Sequence, residues 1–166
     1  MSKILVTGGC GFIGSHTIVD LVENGYDVIS IDNYSRSNAL MLDGVEKIIN
    51  KKIKNYPIDL CNYADTLNVF EQNNDILGII HFAAKSIVSE SIKDPISYYL
   101  NNVTGSLNLL NSMIKNDNNN IVTSIINEPQ EASMFLSGTD NNEYPNDHDN
   151  ELMSAQINPF LLLGKL

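Results

Sequence analysis

Short apolar runs alternate with longer stretches of helical periodicity along most of the chain. The runs that predict β-strands lie at residues 3–7, 26–32, 53–59, 76–83 and 121–126. In the stretches between them, apolar residues recur every three or four positions, which is typical of helices that bury one face. Alternation of this kind predicts a parallel sheet with helices on both faces.

Two of the predicted helices are especially well marked. The first follows the first strand, and Gly25 is a candidate for its C-cap. Its apolar positions are Ile13, Thr17, Ile18, Leu21 and Val22. The second begins after Pro95 and runs from about residue 96 to 115. Its apolar positions lie on one side of the helix and comprise Ile96, Tyr99, Leu100, Val103, Leu107, Leu110 and Ile114.

The regular pattern ends near residue 126. Residues 127–151 are rich in Asp and Glu, contain neither Lys nor Arg, and show no convincing period. Such a composition predicts loop or disorder. We therefore expect a folded domain at residues 1–126 and a divergent acidic tail, loop or partly disordered, at residues 127–166.

Composition narrows the classes of partner and compartment. A chain of 166 residues with a net charge of −10 is long enough for one domain and lacks the basic clusters that nucleic-acid binding needs. It shows neither a secretory signal nor an apolar run that would span a bilayer, which predicts a soluble, cytoplasmic protein without a membrane partner. Cys10 and Cys61 have no metal-ligand spacing, so we expect reduced thiols and no metal.

A glycine-rich segment joins the first strand to the first helix. Gly8, Gly11 and Gly14 recur at every third position, where small residues permit a tight turn and a close approach to a pyrophosphate. Asp32 ends the second strand, where a carboxylate accepts hydrogen bonds from an adenosine ribose and repels a 2′-phosphate. Arg36 lies close by and would favour a 2′-phosphate instead. We give the greater weight to Asp32 and predict NAD as the cofactor of a Rossmann-like, doubly wound α/β domain, truncated after about five strands.

Four segments resemble the amino-terminal half of the UDP-glucose 4-epimerase family of extended short-chain dehydrogenases/reductases. They read VTGGCGFIGSH, IDNYSRS, PIDL and HFAAKSIVSESIKDPISYYLNNVTGSLNLL, and the last is the most discriminating. The resemblance extends from residue 3 to about residue 124. It implies NAD as cofactor, a nucleotide-sugar substrate (UDP-glucose or UDP-galactose), and a homodimer that pairs through the helix at residues 96–115.

The resemblance also implies a cofactor site. In it the backbone of Phe12 and Ile13 meets the pyrophosphate, Asp32 holds the ribose, and Asp59 and Leu60 recognise adenine. The complete implied set is Gly8, Gly11, Phe12, Ile13, Gly14, Asp32, Asn33, Tyr34, Ser35, Arg36, Ser37, Asp59, Leu60, Phe82, Ala83, Ala84, Lys85, Ser86 and Asn101. The family usually has Lys at the position of Ser86, whereas here Lys85 comes one position earlier and is expected to point elsewhere.

The family's chemistry needs a Tyr whose phenolate removes a hydroxyl proton, assisted by a Lys four residues later. None of the 7 tyrosines has Lys at that spacing, and Tyr144 has His148 there. We therefore assign no catalytic residue, and His16 and His81 receive no chemical role. Three hypotheses stay open: an epimerase-family protein that keeps NAD binding, a catalytically inactive NAD-binding or interaction module, and another extended short-chain reductase or dehydratase.

Overall fold

Five parallel β-strands form a single sheet in the order β3-β2-β1-β4-β5 in a computed structural model, which describes residues 3–116 and 122–125. The strands are β1 (Lys3–Thr7), β2 (Asp27–Ile31), β3 (Lys54–Tyr56), β4 (Ile76–His81) and β5 (Val122–Ile125). All of them fall inside the predicted runs, and the α/β, Rossmann-like doubly wound class is confirmed. The predicted tail at residues 127–166, with Tyr144 and His148, lies outside the described residues.

Helices connect the strands as right-handed crossovers of a doubly wound sheet require. They are α1 (Phe12–Glu23), α2 (Leu40–Ile49), α3 (Tyr63–Gln72), α4 (Val88–Lys93), α5 (Pro95–Tyr99) and α6 (Gly105–Lys115). Gly25 follows the end of α1 with a φ of +85°, so its predicted place at the helix end is confirmed. Within the described ranges, no helix has the length and apolar composition needed to cross a membrane.

The core consists of one apolar cluster on each face of the sheet. Adjacent residues of a strand point to opposite faces, so Leu5 belongs to one cluster and Val6 to the other, and both are completely buried. The cluster around Leu5 includes Phe70 of α3 and Leu109 of α6. The cluster around Val6 includes Ile18 of α1. The two faces are therefore covered by different helix pairs, α3 with α6 and α1 with α2.

The helix predicted at residues 96–115 runs continuously from Pro95 to Lys115 but contains a π-helical turn, Leu100–Thr104, between α5 and α6. Apolar positions identified by spacing face away from the core both before and after this turn: Ile96, Tyr99 and Ile114 are 70%, 71% and 78% exposed. The buried side of α6 comprises Gly105, Leu109 and Ser112. This helix therefore presents an apolar surface to solvent.

Candidate functional site

An open cleft lies at the carboxyl ends of β1, β2, β3 and β4. β1 lies at the point where the strand order reverses, with β2 on one side and β4 on the other. Ligands of open α/β sheets bind at such switch points. The cleft is lined by Gly8, Gly11, Ile31, Asp32, Asn33, Ser35, Arg36, Ser37, Ile58, Asp59, Leu60, Phe82, Ala83, Ala84, Lys85 and Asn101.

The glycine loop that follows β1 packs too closely against its neighbours for larger residues. Gly8 has a φ of +70°, and a Cβ there would lie 2.9 Å from the carbonyl carbon of Phe82 and 3.0 Å from the nitrogen of Ala83. A Cβ on Gly14 would overlap the carbonyl oxygen of Gly8. The glycines thus let the start of α1 approach β1 and leave the floor of the cleft as bare backbone.

The amino terminus of α1 leaves backbone N–H groups without a helical acceptor. Its N-cap residue, Gly11, offers no side chain to cap the helix. The first helical hydrogen bond runs from Ser15 N to Gly11 O over 3.0 Å, so the N–H groups of Phe12, Ile13 and Gly14 precede the hydrogen-bonded turns. These N–H groups and the positive end of the helix dipole favour a phosphate or pyrophosphate.

Asp32 ties the glycine loop to the loop that follows β2. Its side chain is nearly buried, and its Oδ2 accepts a hydrogen bond of 2.9 Å from the backbone nitrogen of Cys10. Its Oδ1 accepts from Tyr34 N at 2.9 Å and from Ser37 Oγ at 2.7 Å. A carboxylate has about four acceptor positions, so capacity remains for a hydroxyl of a bound ligand.

Arg36 and Glu90 form an ion pair that joins the loop after β2 to α4. The guanidinium donates through both Nη atoms, and the Nη1–Oε1 distance is 3.0 Å. The Tyr98 hydroxyl donates to Glu90 Oε2 at 3.2 Å. The hydrogen bond from Arg36 holds the pKa of Glu90 below its usual value, and the same bond raises the pKa of Arg36. Arg36 therefore stays directed at Glu90.

The opposite wall is the chain segment that follows β4, and consecutive asparagines of the π turn hold it. Asn101 Nδ2 donates to Ala83 O at 3.3 Å. Asn102 accepts from Lys85 N at 2.8 Å and donates to Lys85 O at 2.9 Å. Sequence reasoning missed the role of Asn102, and the adjacent pair of asparagines within an apolar helix was the available indication. These contacts fix the backbone that borders the cleft.

His81 lies beneath this wall and is almost fully buried. Its Nδ1 is 2.5 Å from Thr7 Oγ1, and its Nε2 is 3.0 Å from Ser106 Oγ. Burial lowers its pKa from 6.5 to about 4, so the imidazole is neutral at pH 7. No group of three or more His, Cys, Asp and Glu residues that would hold a metal occurs in the described part of the chain.

Most of the predicted cofactor residues lie together in the cleft. The exceptions are Phe12, Ile13, Gly14, Tyr34 and Ser86. Gly14 lies under Gly8, and the Tyr34 hydroxyl accepts a hydrogen bond of 2.9 Å from Asn55 instead. Ile31 and Ile58 line the cleft although sequence reasoning did not select them. Ile31 ends β2 and Ile58 follows β3. An apolar residue at such a position can pack in the core or line a site, and the sequence looks the same in both cases.

Lys85 borders the cleft, but its Nζ lies 5.7 Å from the centre of the Tyr98 ring. At that distance the ammonium makes a cation–π contact with the ring. The lysine side chain is therefore engaged by Tyr98, in keeping with its shifted position relative to Ser86.

Residues 5–139 match the sequence profile of the family described as GDP-mannose 4,6 dehydratase. Similar curated proteins are the UDP-glucose 4-epimerase of Dictyostelium discoideum, 44% identical over 68% of this chain, and the bifunctional protein GAL10 of Pachysolen tannophilus, 46% identical over 75%. The aligned part spans 33% and 18% of the length of those two proteins, respectively.

Solved structures give the same result. The UDP-glucose 4-epimerase of Bifidobacterium longum, crystallised with NAD+ and UDP, is 45% identical and superposes with a TM-score of 0.69 over 74% of this chain and 36% of that protein. The UDP-Glc/GlcNAc 4-epimerase of Campylobacter jejuni is 30% identical with a TM-score of 0.68. The resemblance predicted from the four sequence segments is confirmed.

Proposed function

Because this chain belongs to the GDP-mannose 4,6 dehydratase family and is similar to UDP-glucose 4-epimerases, we propose that residues 1–126 form an NAD-binding domain. The observation that carries the proposal is the glycine loop joined to Asp32 through the hydrogen bond from Cys10 N. This hydrogen bond holds the ribose acceptor at the end of β2 beside the free N–H groups at the start of α1. That combination suits the adenosine diphosphate part of a dinucleotide.

The remaining walls of the cleft fit such a ligand. The bare backbone between Gly8 and Gly14 would hold the pyrophosphate, and Asp32 would accept a ribose hydroxyl. Asp59 and Leu60, which follow β3, would border the adenine. On the other side of the glycine loop, Phe82 to Lys85 would border the nicotinamide half. Asn101 and Asn102 hold that last segment in place through their bonds to Ala83 and Lys85.

The reaction that this domain serves is, in our proposal, the interconversion of UDP-glucose and UDP-galactose. Bound NAD would supply a hydride acceptor for the sugar. The chain spans about a third or less of the length of the curated relatives it matches. What this chain contributes is the binding and orientation of the cofactor.

A second candidate function is NAD binding without turnover. It is favoured by one specific observation: no Tyr of the sequence has a Lys four residues later. Tyr98, which follows the wall of the cleft, donates its hydroxyl hydrogen to Glu90, and burial together with that bond raises its pKa. A phenol with a raised pKa keeps its proton at neutral pH, so it does not act there as a general base.

Calorimetric titration with NAD tests the cofactor site. We expect saturable binding to the full chain that Asp32→Ala weakens at least about tenfold, because a hydrogen bond to a charged group is lost. Asp32→Asn removes the charge and keeps one acceptor oxygen, which serves only one of the backbone N–H groups of Cys10 and Tyr34. Asp43→Asn removes an exposed carboxylate of α2 and serves as the matched control. Equal affinities for Asp32→Ala and Asp43→Asn would refute the assignment.

An epimerase assay separates the two candidate functions. The purified chain is incubated with UDP-galactose and NAD, and UDP-glucose formation is followed with UDP-glucose dehydrogenase. NAD binding with product formation supports the epimerase proposal for this chain alone. NAD binding without product supports the second candidate. Product that persists in the Asp32→Ala variant at the parent rate would point to a contaminating enzyme.

We further propose that the chain forms a homodimer through the exposed apolar surface of the helix at residues 95–115. Ile96, Tyr99 and Ile114 stand on that surface, and clustered exposed apolar side chains mark interaction sites. Sedimentation equilibrium of the parent chain and of Leu107→Glu tests the proposal. Leu107 is 53% exposed, so its replacement leaves the core intact. A parent chain that sediments as a monomer would contradict the dimer.

We place the protein in the cytosol as part of the same proposal. Cys10 and Cys61 are both free thiols, and reduced cysteines are the rule in that compartment. Fractionation of cells that express the tagged chain tests the location, and recovery in a membrane pellet would contradict it.

A further inference from the structure

Arg36 and Asp32 both line the cleft, but they do not pair with each other. Asp32 receives its hydrogen bonds from Cys10 N, Tyr34 N and Ser37 Oγ. Arg36, only four positions later in the chain, donates to Glu90 instead. The two residues of this ion pair are 54 positions apart, in the loop after β2 and in α4. The guanidinium of Arg36 is thus turned away from the carboxylate assigned to the ribose.

We propose that Glu90 is a specificity-determining residue, which holds Arg36 away from the ribose 2′ position and so makes the site select NAD over NADP. The inference rests on the proposed NAD site and adds the residue that sets its preference. Asp32 repels a 2′-phosphate, but an arginine in the same loop would offset that repulsion by forming a bidentate pair with the phosphate. Because both Nη atoms of Arg36 donate to Glu90, the guanidinium is not available to pair with the phosphate.

The ion pair with Glu90 determines where the Arg36 side chain points and adds little to the stability of the fold. Both side chains of the pair are solvent-exposed, at 51% for Arg36 and 40% for Glu90, and ion pairs at such positions contribute little to stability. The pair therefore mainly decides where a mobile guanidinium points. Glu90 is itself held by Tyr98, whose side chain is only 9% exposed and whose hydroxyl lies 3.2 Å from Oε2. The hydrogen bond from this buried tyrosine keeps the Glu90 carboxylate in place, where it accepts from Arg36.

The test compares the dissociation constants of NADP and NAD, measured by calorimetry on the full chain and its variants. Glu90→Gln frees Arg36, and we expect the preference for NAD over NADP to fall by up to about fivefold, which is the most that an exposed ion pair can withhold. Arg36→Gln combined with Glu90→Gln should restore the parent preference, because no cation is left to reach the phosphate. Glu90→Asp keeps the charge and should leave the preference nearer the parent value.

Three outcomes separate the inference from the proposal beneath it. A lower NAD preference in Glu90→Gln that disappears in the double variant supports the inference. A preference that is unchanged in Glu90→Gln, while both dinucleotides still bind, overturns the role of Glu90 and leaves the NAD site standing. Absence of binding of either dinucleotide to the folded parent chain overturns the NAD site and this inference together. Tyr98→Phe, which removes only the bond to Glu90, should shift the preference in the same direction by a smaller factor.

Discussion

Acidification from pH 7 to pH 5 should destabilise this protein through one buried imidazole, that of His81. Ser106 Oγ donates to Asn102 O at 2.7 Å, so it accepts from His81 Nε2–H. With its proton on Nε2, the neutral ring has an acceptor at Nδ1, so the Thr7 hydroxyl donates to it while Thr7 Oγ1 accepts from Ala83 N at 3.3 Å. Protonation at Nδ1 would place two hydrogens between His81 and Thr7. The neutral imidazole is therefore the form that the fold accommodates.

The sign and size of the effect follow from the pKa. The folded-state pKa, about 4, lies below the ordinary value of 6.5, so the unfolded chain takes up the proton first. The stability associated with neutral His81 is complete above pH 6.5 and declines as the pH falls toward 4. The full difference is worth about 3 kcal/mol, of which about 2 kcal/mol is lost between pH 7 and pH 5.

Urea unfolding at pH 7, 6 and 5 measures this loss. His81→Gln provides a donor and an acceptor but no titration, so its free energy of unfolding should change far less than that of the parent over the same range. His16→Gln is the matched control, because His16 is exposed on α1 and its replacement should leave the parent's pH dependence in place. Equal losses of stability in the parent and in His81→Gln between pH 7 and pH 5 would refute the reasoning.

Three further predictions concern the frame of the site and its core. Gly14→Ala places a methyl group against the carbonyl of Gly8, and we expect a loss of about 1–3 kcal/mol in urea unfolding together with weaker NAD binding. Asn62→Ala removes the side chain that caps two N–H groups at the start of α3, which should cost about 1 kcal/mol and lower the melting temperature; an unchanged temperature would contradict the cap. Phe70→Ala empties a completely buried position, and a loss of about 3–5 kcal/mol is expected; a loss below 1 kcal/mol would show that the cluster around Leu5 collapses into the space.

The sequence predicted the strands and the glycine loop because both have local patterns. Apolar runs set the strand positions, and the spacing of Gly8, Gly11 and Gly14 identified the turn between β1 and α1. The exposed face of the helix at residues 95–115 was not predicted, because spacing finds an apolar side but does not tell whether the core or the solvent receives it. The site assignments stay predictions, although most of the selected residues share one cleft.

Pairs that are distant in sequence escaped sequence reasoning altogether. Arg36 was judged from its proximity to Asp32, whereas its actual partner, Glu90, comes from another crossover helix. Asn102 has the sequence pattern of an ordinary helical residue, and its hydrogen bonds to Lys85 form only because the π turn lies beside the segment after β4. No local pattern encodes such contacts, since they arise only when the strands are ordered in the sheet.

The π turn Leu100–Thr104 contains the asparagines that hold the wall of the cleft, and it is followed directly by α6, which packs in the core. Asn101 and Asn102 are neighbours in the chain and yet both reach the segment after β4, while Leu109 reaches the cluster around Leu5. A π turn holds one residue more than an α-helical turn over the same rise, so deleting one residue from Leu100–Thr104 would restore an α-helix and leave α6 close to its present phase. Leu109 would stay in the core, whereas Asn101 and Asn102 could no longer both reach the segment after β4. The extra residue of the turn therefore serves the wall of the cleft rather than the packing of α6.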